Sequence, residues 1–307
     1  MFPIYGHIWR KRKNGKRSEK ICDVKFFIMC EMNKICPVCK SALSDKYIEK
    51  EFQNMTSTWF KCASCGTVFI WPAPGPDVLS LYYKKNYKDK KCPNYVSHEF
   101  RFSEENRKTV FNEYNLSLMD VNISIEQLRN KKILDYGCAN GFFLDFLLEN
   151  NCNKKDLYGF DIAEDLLSEV ISKGYRIHNN EKKFFDFIFL WDVLEHIPDP
   201  REVLRTLIML SKDGGGKLVV QTPMAGILSG LLGTYWAHLL IFEHVILYSR
   251  ESLILLLKEF GFQPNKVSSF GANCPSHIVP EPYKSVYDRL VKLTDCGSTQ
   301  IGCFDLR

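Results

Sequence analysis

The sequence predicts an α/β fold, a mostly parallel sheet with helices on both faces, preceded by a small cysteine-rich module. Three observations carry that expectation. Apolar runs of strand length at 133–136, 157–160, 184–191 and 217–221 alternate with segments of helical spacing. The first run ends in a glycine-punctuated turn, Ile133-Leu134-Asp135-Tyr136-Gly137-Cys138-Ala139-Asn140-Gly141. Two C-x-x-C pairs lie upstream of it.

Taken in order, the first strand and its turn are followed by an apolar helix, the local form of a nucleotide-cofactor site. Gly137 lets the backbone turn sharply and Gly141 lets the first helical turn approach a ligand, since neither carries a Cβ. A dinucleotide fingerprint requires glycines where Ala139 and Phe142 stand, which disfavours NAD. The second run ends in Asp161, whose two carboxylate oxygens suit the hydroxyls of an adenosine ribose. Leu166, Leu167, Val170 and Ile171 then predict a helix closed by Gly174. A weak third strand over 175–178 precedes a strong fourth over 184–191, whose near-continuous apolar run implies burial on both faces. A helix bearing Val203, Leu204, Leu207 and Ile208, a glycine turn at 214–216 and a strand at 217–221 follow. Residues 222–245 are almost uncharged and long enough for a membrane span. Three glycines, a histidine and the lack of a flanking basic cluster favour instead a hydrophobic lid or a patch for a lipid-like substrate. The pattern closes with a helix bearing Leu253, Leu256, Leu257 and Phe260, a strand at 265–270, a helix at Tyr283–Leu293 and a strand at 300–306.

The Asp135 to Gly141 turn resembles motif I of the class I S-adenosylmethionine-dependent methyltransferases, an acid followed by G-x-G-x-G. Asp135, Gly137, Ala139 and Gly141 match, with alanine replacing the middle glycine. The segment Asp192-Val193-Leu194-Glu195-His196-Ile197-Pro198-Asp199-Pro200 resembles the "LEH" segment of small-molecule methyltransferases related to the quinone-biosynthesis O-methyltransferases. His244, Tyr248-Ser249 and Gly261-Phe262 are similar to a further run of those relatives. The resemblance implies a Rossmann-like seven-stranded sheet and bound S-adenosylmethionine. The cofactor residues it implies are Asp135, Gly137, Cys138, Ala139, Asn140, Gly141, Phe142, Asp161, Ile162, Trp191 and Asp192. It sets Glu195, His196 and His244 around the acceptor. His196 is a general base or a capping and packing residue; His244 is a base or hydrogen-bond partner, or a satisfied histidine at the lid edge. The adenine-contacting residue is not assigned, because 179–183 is short and Asn180 carries no signal.

Cys36-Pro37-Val38-Cys39 and Cys62-Ala63-Ser64-Cys65-Gly66 are separated by 22 residues, a spacing that suits one tetrahedral metal. Four thiolates prefer zinc, in a structural role because no position is open, and Gly66 can adopt the positive φ of such a turn. Redox disulfides or unpaired buried cysteines are the alternatives. The following Phe69, Trp71, Pro72, Pro74, Leu79, Tyr82, Tyr83 and Tyr87 resemble the segment after the zinc ribbon of bacterial methyltransferases, sugar C-methyltransferases among them. The expected organisation is a basic, disordered leader (1–31), a zinc ribbon (32–75), a helical linker (76–130) and a methyltransferase domain (131–307) with a lid at 223–247.

Composition bounds the function. The 45% hydrophobic content can bury one large core and a satellite domain, and twelve cysteines without a secretory leader suit a reducing, cytoplasmic setting. Residues 1–20 carry seven basic side chains and one acid of a net charge of +5, leaving the catalytic body nearly neutral. A basic patch on the folded surface would be expected of a nucleic-acid enzyme. Met32 resembles a natural start, making the leader an upstream extension. The favoured function is methyl transfer to a small-molecule acceptor, a sugar, nucleotide-sugar or lipid-like metabolite, with the acceptor atom and oligomeric state open. An RNA substrate gripped by ribbon and tail, and a non-catalytic scaffold, are the alternatives.

Overall fold

The computed structural model describes residues 34–52, 55–75, 103–178, 185–212, 215–241, 243–271 and 283–306. The leader, the whole of 76–102 with Leu79, Tyr82, Tyr83 and Tyr87, and the 179–184 stretch with Asn180 lie outside them. All described residues fall in one compact unit.

The chain begins with β1 (Ser44–Phe52), β2 (Met55–Cys62) and β3 (Val68–Ile70), an antiparallel meander. Helices α1 (Arg107–Asp120) and α2 (Ile125–Leu128) lead to β4 (Ile133–Tyr136) and α3 (Phe142–Glu149). Then follow β5 (Leu157–Phe160), α4 (Glu164–Ser172), β6 (Arg176–Ile177), β7 (Phe187–Trp191), α5 (Pro200–Leu210) and β8 (Lys217–Pro223). The C-terminal part comprises α6 (Ile227–Leu232), β9 (Ile246–Leu247), α7 (Arg250–Glu259), β10 (Phe262–Phe270), α8 (Tyr283–Leu293) and β11 (Thr299–Leu306).

Seven strands form one sheet in the order β10-β11-β8-β7-β4-β5-β6. β11 runs antiparallel to both its neighbours, and the pairs from β8 to β6 are parallel. Chain order reverses between β4 and β7, so their carboxyl ends flank the crevice where ligands of open α/β sheets sit. Period-2 alternation sorts the strand residues onto two faces. Leu134, Ile188, Leu190, Leu218 and Val220 pack with Leu204 and Leu207 of α5 and Leu253 and Leu256 of α7. Ile133, Phe187, Phe189 and Val219 pack with Phe143, Phe146 and Leu147 of α3 and Leu118 of α1. Helices thus cover both faces, which makes the strands apolar throughout.

The expected lid at 223–247 is largely occupied by packing against the N-terminal meander. β9 pairs antiparallel with β3, Phe69 opposite Ile246 and Val68 opposite Leu247, and completes a four-stranded sheet. Trp236, Leu239 and Leu247 bury themselves against Trp59, Val68 and Ile70. Ile227, Leu231 and Tyr235 remain exposed on α6 and the turn after it. No described helix is long and apolar enough to cross a membrane.

Candidate active site and cysteine cluster

Three left-handed residues shape the turn after β4: Gly137 (φ 89°), Ala139 (φ 46°) and Gly141 (φ 81°). A Cβ on Gly137 would come 2.4 Å from Val193 Cγ2, so the close approach of the β7 loop, as well as the backbone angle, demands glycine. The Gly137 and Cys138 amides donate to the Phe160 carbonyl at 2.7 and 3.0 Å, which ties the turn to the end of β5. Asp161 fastens it further. Its Oδ2 accepts from the Ala139 amide at 2.9 Å and its Oδ1 from the Ala163 amide at 2.8 Å. Asp135, at the end of β4, is buried, and its Oδ1 has no hydrogen-bond partner; neither has the buried Oδ1 of Asn140. Burial and the neighbouring Asp161 charge hold the Asp135 carboxyl well above the usual carboxylate range, and burial raises Asp161.

The loop after β7 supplies the other wall. Asp192 takes a left-handed φ of 52°, its amide donating to the Gln221 carbonyl and its Oδ2 accepting from Gln221 Nε2 at 3.1 Å. Ser117 of α1 donates to the same glutamine, and Tyr114 of α1 lies 5.0 Å from Trp191 between ring centroids, so α1 closes over the carboxyl ends of β7 and β8. Glu195 is fully buried. Its Oε2 accepts from Thr222 Oγ1 at 3.0 Å, and its unpartnered Oε1 lies 4.0 Å from His196 Nε2. The His196 and His244 rings meet edge to face at 4.8 Å, and His244 Nδ1 lies 2.8 Å from the His238 carbonyl. Ligand atoms of Glu195, His196 and His244 all fall within 4.8 Å of one another. Burial, then the Asp192 charge, raises the Glu195 carboxyl well above its usual range. Burial pushes His196 down to about 4 and His244 well below an ordinary histidine. Burial thus disfavours the charged form of all three groups.

The four ribbon cysteines also converge. Cys36 and Cys65 sulfurs lie 3.6 Å apart, those of Cys39 and Cys62 3.5 Å, and all four fall within 4.8 Å, with no disulfide among them. Each C-x-x-C forms the same turn: the Lys40 amide donates to the Cys36 carbonyl and the Gly66 amide to the Cys62 carbonyl, Lys40 and Gly66 both at positive φ. Both turns are bolted to the sheet. Arg201 of α5, 9% exposed, donates to the Pro37 and Val38 carbonyls and pairs with Glu259 at 2.7 Å. Ser249 Oγ donates to the Cys65 carbonyl at 2.7 Å. Between these anchors the Ile70 amide reaches the Val245 carbonyl and the Val245 amide the Glu195 carbonyl, joining the cysteine-bearing sheet to the loop after β7.

Residues 104–267, more than half of the chain, match the family described as "Methyltransferase domain". The chain belongs to the class I S-adenosylmethionine-dependent methyltransferases. Relatives of this methyltransferase include the tRNA U34 carboxymethyltransferase of Aliarcobacter butzleri, 31% identical over 112 residues, 32% of this chain and 35% of that protein. The ubiquinone biosynthesis O-methyltransferase of Idiomarina loihiensis is 28% identical over 133 residues, 39% of this chain and 51% of that protein. The methyltransferase thus spans between about a third and half of the length of these relatives. Among solved structures, an S-adenosylmethionine-dependent methyltransferase of Mesorhizobium loti is 16% identical over 59% of this chain and 98% of its own, with a TM-score of 0.40.

The residues of the turn fit the cofactor of the family. The buried Asp135 lies beside the half-buried Asp161, and two buried acceptor atoms, Asp135 Oδ1 and Asn140 Oδ1, lack partners, a combination that suits a cationic amino-acid end. Ile162 is 84% exposed at the tip of β5, an apolar side chain open to a flat partner. Other expected contacts are spent elsewhere. Cys138 packs its sulfur over Gly159, and Phe142 is buried against Phe111 with its ring under Arg107. Trp191 stacks on Phe189, though its buried Nε1 has no partner. Asp161 spends both its carboxylate oxygens on bracing the turn. Glu195 sits beneath the mouth, not on its rim. Sequence reasoning did not single out Arg201, Lys173, Gln221 or Thr222. Thr222 and Gln221 lie at the carboxyl end of β8, a strand-end signal that points to the crevice; Arg201 and Lys173 carry no local signal.

Proposed function

We propose that the chain transfers a methyl group from S-adenosylmethionine to a small-molecule acceptor bound over Glu195, His196 and His244. The observation that carries this reading is the convergence, at the β4/β7 crevice, of the Asp161-braced turn with its unpartnered acceptors and the Glu195–His196–His244 cluster beside it. When bound, the cofactor supplies an electrophilic methyl on a sulfonium. Asp135 and Asn140 accept from its ammonium end, Asp161 adds ribose contacts to its backbone bonds, and Ile162 covers the adenine.

Alignment and exclusion of water are then the main tasks of the protein. α1 closes one side through Tyr114 and Ser117, and the segment leading to β9 closes another. His196, whose ring is held by the Asp192 and Glu243 backbone and lies edge to face with His244, shapes the floor on which the acceptor is aligned. Glu195 is held in place by Thr222, which donates to its Oε2, and its Oε1 points to the same site. The exposed Ile227, Leu231 and Tyr235 fit an acceptor with an apolar portion. We further propose that the four cysteines hold one structural zinc. Zn–S bonds of about 2.3 Å set tetrahedral sulfurs roughly 3.8 Å apart, near the 3.5 and 3.6 Å observed.

The test incubates the purified chain and methyl-labelled S-adenosylmethionine with metabolite, lipid and RNA fractions. Label in a small-molecule fraction is the expected result; label in none refutes the proposal. Asp161→Ala should weaken cofactor binding at least tenfold by calorimetry, since it removes two backbone acceptors and the ribose acid. A second reading, an RNA acceptor, is favoured by the relative named tRNA U34 carboxymethyltransferase. It requires label in RNA and an affinity that falls steeply with salt.

A further inference from the structure

We infer that Lys173 is a positioning residue for the cofactor turn, acting through the backbone carbonyl of Asn140. The inference rests on the S-adenosylmethionine reading above. The turn holds three left-handed residues in five, one of them the non-glycine Ala139, and such a backbone keeps its shape only where its surroundings enforce it. Its amide side is enforced by Asp161 and the Phe160 carbonyl. Its carbonyl side is held by Lys173, whose Nζ donates to the Asn140 oxygen at 2.8 Å.

The ammonium is itself held. Lys173 caps the end of α4, and its Nζ also donates to Asp145 Oδ2 at 2.8 Å. Asp145 is buried in the first turn of α3, and its Oδ1 accepts from Tyr175 OH at 2.7 Å. Arg107 Nη1 lies 3.9 Å from the same carboxylate. Three elements thus meet at one buried acid, and the lysine carries their rigidity to the turn. An isolated surface ion pair contributes little; here the partner is buried and the second hydrogen bond of the ammonium ends on the turn after β4. Fixing the Asn140 carbonyl also fixes the residue whose buried Oδ1 lacks a partner and stands ready for the ligand. At a helix end a lysine ordinarily reads as a complement to the dipole, which hides this second role.

The test measures S-adenosylmethionine affinity by calorimetry for the full chain and for Lys173→Met and Lys173→Arg. Lys173→Met should raise Kd about tenfold, the scale of a lost charged hydrogen bond, and Lys173→Arg, which keeps a donor, should stay within about threefold of the parent. The Ala139 amide should exchange faster in Lys173→Met than in Lys173→Arg or the parent. A Kd for Lys173→Met within twofold of the parent overturns the inference. So does an equal loss in both variants together with a lower cofactor-free melting temperature, the mark of a purely structural lysine. If the parent chain binds no S-adenosylmethionine, the functional reading itself fails and takes this inference with it.

Discussion

Gly137 and Ala139 share a left-handed backbone at unequal cost. Glycine adopts it freely, whereas alanine loses roughly 1–2 kcal/mol there, offset here by the Asp161 bond to its amide. Gly137→Ala adds both that strain and a Cβ at 2.4 Å from Val193, so it should destabilise the chain by about 2–4 kcal/mol in urea unfolding. A loss below about 1 kcal/mol would contradict the geometry. His196 makes a different prediction. Its folded value near 4 lies below the unfolded one, so the unfolded chain takes up a proton first as pH falls, and stability is lost between roughly pH 6.5 and 4. His196→Gln has no such proton to take up. The stability of the parent relative to this variant should therefore fall across that window, measured by urea midpoint against pH. At this scale the sharp turn after β4 was readable from the spacing of Gly137 and Gly141. The inward packing of Cys138 and Phe142 was not, since a turn motif does not say which way its side chains point.

At the scale of elements, α5 starts from Asp199, whose carboxylate accepts from the Arg201 amide, with Pro200 in the first turn. These signals place the helix but not its most connected side chain. Arg201 joins α5, Glu259 of α7 and the first cysteine turn, and Arg201→Met leaves two carbonyls and a carboxylate short of a donor. A loss of about 2–4 kcal/mol is expected in urea unfolding, and a value near zero would show that the clamp is dispensable. The strands of the large sheet were evident because burial on both faces writes a continuous apolar run. β9 was not. Two residues paired with a strand far upstream leave no periodicity, and their apolar neighbours resemble a lid.

Over the whole molecule, ribbon and sheet share one core: Cys36, Val38, Phe60 and Phe69 pack in the same cluster as α5 and α7. Deleting residues 34–72 would expose Val245, Ile246, Trp236 and Leu239, so the remainder should aggregate during expression; a soluble, cofactor-binding remainder would disprove this dependence. Stripping bound metal with a chelator should speed amide exchange at Ile70 and Val245 before it affects Gly137 or Cys138, because the cysteine turns anchor the first pair and β5 anchors the second. Uniform exchange would separate the cluster from the loop after β7. The sequence by itself determined the sheet, the cofactor turn and the cysteine spacing, all of which are written in local periodicity, residues without a Cβ and short-range ligand geometry. Only the tertiary structure decided that β3 pairs with β9, that Glu195 is a buried acid beside His196, and that Lys173 reaches the Asn140 carbonyl and Arg201 the first cysteine turn. These depend on contacts between residues far apart in the chain, and such pairings are selected by burial and hydrogen-bond satisfaction in the folded state, which no short window of sequence encodes.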